Sequence, residues 1–195
     1  MKINSLRAVE LLSAGLLGAC LVLLSGKSVA QEYVPTTQSP KAGLAPGMKV
    51  KLVGQNNGVK TYVLVFAKGD EIMSGLTDFA TQYHVTAAHF TAIGSAQSAR
   101  LGWLDRQKNL FRLIPITEQS EITSLIGDIA MYHGKPVVHA HINLAAQDGT
   151  LKGGHLFEAI VWPTLEVFVT VEAFPLNKRL DEIGITVIDP VCNPL

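Results

Sequence analysis

Three histidines in the second half of the sequence have the spacing of a metal site. His139 and His141 are two residues apart in a segment rich in β-branched residues. In an extended strand, side chains at this spacing point to the same face, with their Cα atoms about 6.5–7 Å apart. His155 follows the turn residues Gln147-Asp148-Gly149 and the pair Gly153-Gly154. Because a segment after a hairpin turn returns beside the strand it left, we expect all three imidazoles on one face.

Three neutral imidazoles and a water form a common open zinc site, with nitrogen–zinc distances of about 2.0–2.1 Å. Nickel, copper and iron accept the same ligands. Since the ligands must be neutral, affinity is expected to fall as the pH drops through the histidine range, near about 6.5. Cys20 and Cys192 lie near opposite ends of the chain and cannot form a CxxC pair or a zinc knuckle. The alternative is an exposed polar strand face whose rings bind only water or carbonyl groups.

The other candidate residues favour less specific roles. His133 lies in an HGKP turn and is expected at the surface, whereas His84 and His89 are expected to be hydrogen-bonded structural residues. Glu158, three residues after His155, could serve a metal-dependent enzyme by hydrogen bonding to a metal ligand or as a general base. Regular alternation along a strand places it on the opposite face from His155, which favours a solvated or inter-subunit charge.

The composition describes a single globular domain. The chain has 195 residues, of which 48% are hydrophobic and 16% are charged, and its formal net charge is zero. This length provides a hydrophobic core without disulfides, and the low charge argues against intrinsic disorder and against electrostatic binding of nucleic acid. The sequence contains no GxGxxG, GxxxxGK[ST], GxSxG or HExxH motif. Nucleotide-binding, serine hydrolase and zincin functions therefore lack their usual support.

The first 30 residues have the pattern of an export signal. Two basic residues precede an uncharged stretch at 11–25, and Ser28-Val29-Ala30 fits a cleavage site before Gln31. The apolar stretch is shorter than the roughly 20 residues of a membrane-spanning helix. We therefore expect a periplasmic or secreted protein whose mature chain has 13 basic and 15 acidic residues. The alternatives are an uncleaved anchor and a lipoprotein anchored at Cys20, although a lipobox cysteine followed by Leu-Val-Leu-Leu lacks the usual polar tether.

The remaining sequence predicts an α+β domain over residues 48–190, preceded by a proline-bearing linker at 31–47. Asn57-Gly58 is typical of a type I′ turn and predicts a hairpin. A helix is expected from Glu71 to about Tyr83, capped by Asp70 or its neighbour and packed on a sheet. Antiparallel strands follow, with Trp162-Pro163 among the predicted turns. The predicted strands are 48–54, 60–67, 85–93, 99–104, 109–116, 121–132, 136–144, 156–161, 165–172 and 184–188.

These motifs resemble the PPC domain, also called DUF296, which bacterial and archaeal proteins share with plant AT-hook proteins. The resemblance rests on the GKP..H.H strand, the DG...GGHL turn and the Glu158 that follows, and it covers residues 48–173. It implies an α+β fold of antiparallel sheet, a homotrimer and, in some prokaryotic members, a metal held by His139, His141 and His155. It implies no known reaction.

The expected function is that of an exported homotrimer that binds a divalent metal, zinc foremost, or a small-molecule ligand. The alternatives are a metal-dependent enzyme using a bound water, a scaffold, and a DNA-binding protein. Nucleic acid is an unlikely partner because the chain lacks the Arg-Gly-Arg-Pro arm of the plant relatives and its mature net charge is −2. Any duplex affinity should be weak and should disappear as salt rises.

Overall fold

The computed structural model describes residues 31–36 and 39–191. These residues form ten strands and one helix. In chain order they are β1 (Tyr33–Val34), β2 (Lys49–Asn56), β3 (Val59–Ala67), α1 (Ile72–Gln82), β4 (Ala87–Asp105), β5 (Leu110–Ile116), β6 (Ser120–Tyr132), β7 (Lys135–Ala145), β8 (Leu151–Val171), β9 (Asn177–Leu180) and β10 (Thr186–Asp189).

The strands form one sheet with the order β1-β5-β4-β6-β7-β8-β3-β2. Pairing of β4 with β8 closes β4, β6, β7 and β8 into a barrel. All pairings are antiparallel except one parallel contact between Met131 and Asn177. The predicted α+β class, with antiparallel sheet and one main helix, is confirmed.

The hairpin of β2 and β3 forms at the predicted turn. Asn57 has a φ of +48° and Gly58 a φ of +83°. Both residues therefore adopt the left-handed conformation that a type I′ turn requires. The predicted hairpin is confirmed.

Helix α1 begins at Ile72, with Glu71 as its N-cap residue. The Glu71 carboxylate accepts hydrogen bonds from the backbone N–H groups of Met73 and Ser74. The helix packs against β7 and β8, as the apolar spacing predicted. Its fully buried apolar residues are Ile72, Leu76, Phe79 and Ala80.

Two predicted strand breaks are wrong. The candidate strands 85–93 and 99–104 fall within one strand, β4, apart from residues 85–86, and 156–161 and 165–172 fall within β8 apart from residue 172. Trp162-Pro163 was predicted as a turn, but the pairing shifts there from Ala96–Val161 to Gly94–Leu165 and the strand continues. A bulge accommodates the proline without ending the strand, because a bulged residue need not donate a ladder hydrogen bond.

Segments at both ends dock on this sheet. The N-terminal arm, residues 31–36, contributes β1, and its Val34 is buried against Phe111 and Leu113. The C-terminal hairpin, residues 177–189, joins β9 to β10. Strand β9 was not predicted.

In the described part of the chain, no helix is long and apolar enough to cross a membrane. The predicted export signal, which contains Cys20, lies outside the described residues. Cys192 lies outside them as well.

Candidate metal centre

The structure brings the three predicted histidines together on the outer face of the barrel. The neighbours of His139 and His141 in the strand, Ala140 and Ile142, are buried in the core, so the two imidazoles point away from it. His155 on β8 pairs directly with His141 on β7. One nitrogen from each ring lies within 4.8 Å of one from each of the others. We call these three residues the histidine cluster.

The rings are close enough to share a ligand. The ring centroid of His139 lies 5.2 Å from the centroid of His141 and 5.2 Å from that of His155. The centroids of His141 and His155 are 5.6 Å apart. Such a group of imidazole nitrogens can hold one metal ion and leave a coordination position open.

Glycines allow this close approach of the strands. A Cβ atom at Gly153 would lie 2.2 Å from Asn143 Oδ1, and one at Gly154 would lie 2.7 Å from the carbonyl oxygen of Gly102. On the other side of β7, a Cβ at Gly127 would lie 2.2 Å from the carbonyl oxygen of His139. The contacts at Gly127 and Gly154 are with backbone atoms and are shorter than real contacts of that kind, so larger residues there would force β6 and β7, or β4 and β8, apart.

His155 is the most enclosed member of the cluster. Its ring stacks on Phe111 at 4.7 Å between centroids and meets Phe157 edge-on at 4.9 Å. Burial, with smaller contributions from His139, His141 and Lys178, lowers the pKa of His155 to about 3. Its Nδ1 atom is buried and has no hydrogen-bond partner among the described residues. A buried neutral nitrogen with a free lone pair is a group that a bound cation would satisfy.

His141 lies at the exposed side of the cluster. Desolvation of its ring, and then the charge of His139, lower the pKa of His141 from 6.5. His141 and His155 are therefore both biased toward the neutral form that metal binding requires.

A carboxylate and a lysine that sequence reasoning missed lie beside His139. Asp128 Oδ2 is 3.5 Å from His139 Nδ1, and its other oxygen accepts a hydrogen bond from Lys178 Nζ at 2.5 Å. Burial alone would raise the pKa of Asp128, but the hydrogen bonds from His139 and Lys178 outweigh it and lower that pKa. The His133-Gly134 turn fixes the pairing of Asp128 with His139, so the carboxylate could have been found from the turn. Nothing local indicates Lys178, which arrives from the C-terminal hairpin.

Glu158 lies outside the histidine cluster. Its Oε2 atom is 3.7 Å from Arg100 Nη1. The prediction that it faces away from His155 is wrong, because a bulge at Phe157 shifts the register of β8. His155 pairs with Gly102 and Glu158 with Arg100, two positions apart on β4, so both residues are on the same face.

The remaining histidines lie apart from the cluster. His133 is exposed in its turn with a φ of +49°, as predicted. His84 is exposed just after α1 with a φ of +52°. His89 is also exposed, and its Nδ1 atom lies 3.0 Å from Glu172 Oε1.

The histidine cluster opens into a cavity of about 1340 Å³. Apart from the histidines, its walls come from the end of β4 and the turn after it, the start of β5, the end of β6, the first half of β7, the N-terminal arm, Ser39 and the C-terminal hairpin. The lining residues include Thr36, Ser39, Leu104, Asp105, Arg106, Phe111, Tyr132, Val137, Ile185 and Thr186.

Comparisons with known proteins agree with this fold. A family model, described as the Plants and Prokaryotes Conserved (PCC) domain, matches residues 53–172. The crystal structure of a plant- and prokaryote-conserved (PPC) protein from Pyrococcus horikoshii is 25% identical with a TM-score of 0.64, over 73% of this chain and 96% of that chain. No functionally curated protein matches the chain significantly.

Two further solved structures carry functional descriptions of their own. A metal-containing protein from Archaeoglobus fulgidus is 29% identical with a TM-score of 0.62, over 72% of this chain and 96% of that chain. A proposed DNA-binding protein from Ralstonia eutropha JMP134 is 30% identical with a TM-score of 0.62, over 66% of this chain and 90% of that chain.

Proposed function

The chain belongs to the Plants and Prokaryotes Conserved domain family, and from that premise we propose that it binds a divalent metal ion, zinc foremost, through His139, His141 and His155. A structural relative described as metal-containing supports this assignment. The main support for metal binding is the geometry of the histidine cluster. Three imidazoles offer nitrogens within 4.8 Å of one another, and the most buried ring has a nitrogen without a partner among the described residues.

The donor set fits zinc better than a hard cation. Calcium and magnesium prefer oxygen ligands, whereas three neutral imidazoles suit zinc and its transition-metal neighbours. When bound, the ion would supply a Lewis acid with an open coordination position.

Asp128 would orient His139 toward the ion. A carboxylate beside Nδ1 holds the proton on that nitrogen and leaves Nε2 free as a ligand, which is the usual arrangement around metal-binding histidines. Lys178 in turn holds the carboxylate in place.

Metal analysis of untagged protein tests the proposal. We expect about one ion per chain in the wild type, and loss of stoichiometric metal in His141→Ala because one of three ligands is removed. The fold should persist, because the buried face of β7 is formed by Ala140, Ile142 and Leu144. His84→Ala is the matched control, an exposed histidine outside the cluster. Equal metal content in all three proteins, or none in any, contradicts the site.

We further propose that the mature protein is an exported homotrimer. The charge and cleavage pattern of residues 1–30 supports export, and exposed apolar side chains on the outer face of the sheet support self-association. The DNA binding described for the Ralstonia protein is not expected of this chain, because residues 31–195 have a net charge of −2. A metal-dependent enzyme finds no support in Glu158, since Arg100 is its partner.

A further inference from the structure

The cavity beside the histidine cluster is far larger than a metal-bound water needs. Its volume is about 1340 Å³, whereas one water occupies about 30 Å³ in the liquid. Pockets that enclose organic ligands measure about 300–1,000 Å³. The space in front of the cluster therefore accommodates a molecule with several rings or a branched chain.

The charges around the cluster favour an anion once a dication is bound. Imidazoles bind a metal ion in their neutral form and so cancel none of its charge, and the charges of Asp128 and Lys178 offset each other. The cavity lining adds one further charge of each sign, at Asp105 and Arg106. The two positive charges of the ion would therefore lack a counter-charge, which an anionic oxygen donor would supply.

The apolar side chains in the walls suit an apolar body. Phe111 and Tyr132 provide aromatic rings, and Leu104, Val137 and Ile185 provide aliphatic side chains. Phe111 is held in place by its stacking on His155 and by the buried contact with Val34.

The cover of the cavity comes from segments outside the family match, which spans residues 53–172. Thr36 and Ser39 precede the match, and Ile185 and Thr186 follow it, yet all four line the cavity. The two segments are joined, because Thr36 Oγ1 donates a hydrogen bond to the carbonyl oxygen of Gly184 at 3.2 Å. Parts of this chain outside the family match therefore contribute to the shape of the cavity.

We propose that this cavity binds an organic carboxylate, with the acid group at the histidine cluster and a ring-bearing apolar body against Phe111 and Tyr132. The N-terminal arm and the C-terminal hairpin then determine which acids fit. This inference rests on the proposed metal site, since the carboxylate supplies the donor that three imidazoles leave open.

Isothermal titration of zinc-loaded protein with 1-naphthylacetate tests the proposal, with the neutral amide 1-naphthaleneacetamide as the matched ligand. Both probes share the same ring system, so a difference between them reports the acid group. We expect the acid to bind at least about tenfold more tightly, and we expect that preference to vanish after zinc is removed with a chelator. In cobalt-substituted protein, the acid should also change the visible spectrum of the metal.

A pair of variants in the C-terminal hairpin tests the location. Ile185→Trp places a large side chain in the cavity and should weaken binding of the acid at least about tenfold, while zinc content stays that of the wild type. Ile183→Trp is the matched control, because Ile183 is 41% exposed and is not among the cavity-lining residues. Its affinity for the acid should equal that of the wild type.

The outcomes separate this inference from the proposed function. Zinc bound at one per chain, with equal affinity for acid and amide or no binding of either, overturns the carboxylate site and leaves the metal site intact. Equal weakening by both hairpin variants overturns the assigned location. Absence of zinc from the wild type overturns the metal site and the carboxylate site together.

Discussion

His155 shows how much the setting of one residue matters. A solvent-exposed imidazole titrates at about 6.5, but burial of the His155 ring, which stacks on Phe111 and meets Phe157 edge-on, lowers its pKa to about 3. Its nitrogen stays available to a cation at pH values where free histidine is largely protonated. The pH at which protons displace the metal is therefore set by the enclosure of the rings as well as by the residue type.

This enclosure predicts acid sensitivity of the metal-free protein. Between pH 6.5 and about 3 the unfolded chain binds a proton at His155 that the folded protein excludes, so the free energy of unfolding falls as the pH drops through that window. The loss attributable to His155 is up to about 1.4 kcal/mol per pH unit. Urea unfolding of chelator-treated protein between pH 7.5 and 5 measures it.

His155→Phe should flatten that dependence, because the replacement ring does not titrate. His133→Phe, which changes an exposed histidine in a turn, should retain it. A wild-type slope that persists unchanged in His155→Phe would show that other groups cause the effect.

Among the elements, the start of α1 is joined to β8 by the Glu71 side chain as well as by backbone hydrogen bonds of Gly69 and Asp70 with Val161. Glu71 is 4% exposed and accepts hydrogen bonds from Met73, Ser74 and Ala159. Burial raises its pKa in spite of these three backbone hydrogen bonds. One carboxylate therefore caps the helix and also joins it to the strand that carries His155.

Replacement of Glu71 by Ala should destabilise the protein by about 3 kcal/mol, because three buried N–H groups lose their acceptor. Glu71→Gln should cost less, since the amide retains one acceptor oxygen. Urea denaturation at pH 7 measures both, with the exposed Glu121→Ala as the control. A loss below about 0.5 kcal/mol in Glu71→Ala would contradict this role of the carboxylate.

At the scale of the whole molecule, the outer face of the sheet carries a row of aligned side chains that runs toward the histidine cluster. Strand pairing places one residue from each of five neighbouring strands in this row. In order across the sheet they are His141 on β7, Ile126 on β6, Thr91 on β4, Phe168 on β8 and Val63 on β3. Ile126 and Phe168 are each 55% exposed in the single chain. Exposed apolar residues that share one sheet face are typical of a surface that another protein copy covers.

We expect Phe168→Asp to convert a trimer into monomers, because a charge would be buried at the contact. Light scattering at micromolar concentration measures the mass. Leu151→Asp changes another exposed apolar residue, at the start of β8, and should leave the trimer intact. A monomeric wild type would contradict the assembly.

Export is a property of the whole chain as well. The mature protein recovered from the periplasm or the medium should begin at Gln31, because Ser28-Val29-Ala30 has the small residues of a signal cleavage site. Intact mass spectrometry decides this. A lipidated mass that begins at Cys20 would instead identify a lipoprotein.

Features set by neighbouring residues could be predicted from the sequence. The Asn57-Gly58 turn, the helix after Asp70 and the shared face of His139 and His141 depend on φ preferences, capping and strand alternation, which act over a few positions. The return of His155 beside His141 followed from one short turn and from glycines that permit close strands. The three-histidine grouping was therefore accessible before the fold was known.

Other features depend on residues that are distant in the chain, and only the tertiary structure decided them. Bulges kept β4 and β8 continuous and moved Glu158 to the face of His155, because an extra residue reverses strand alternation without a fixed sequence signal. Lys178 reaches Asp128 from 50 positions away. The low pKa of His155 likewise depends on Phe111, which belongs to another strand. Alternation and turn preferences are local, whereas burial and charge pairing are fixed only when distant segments pack together.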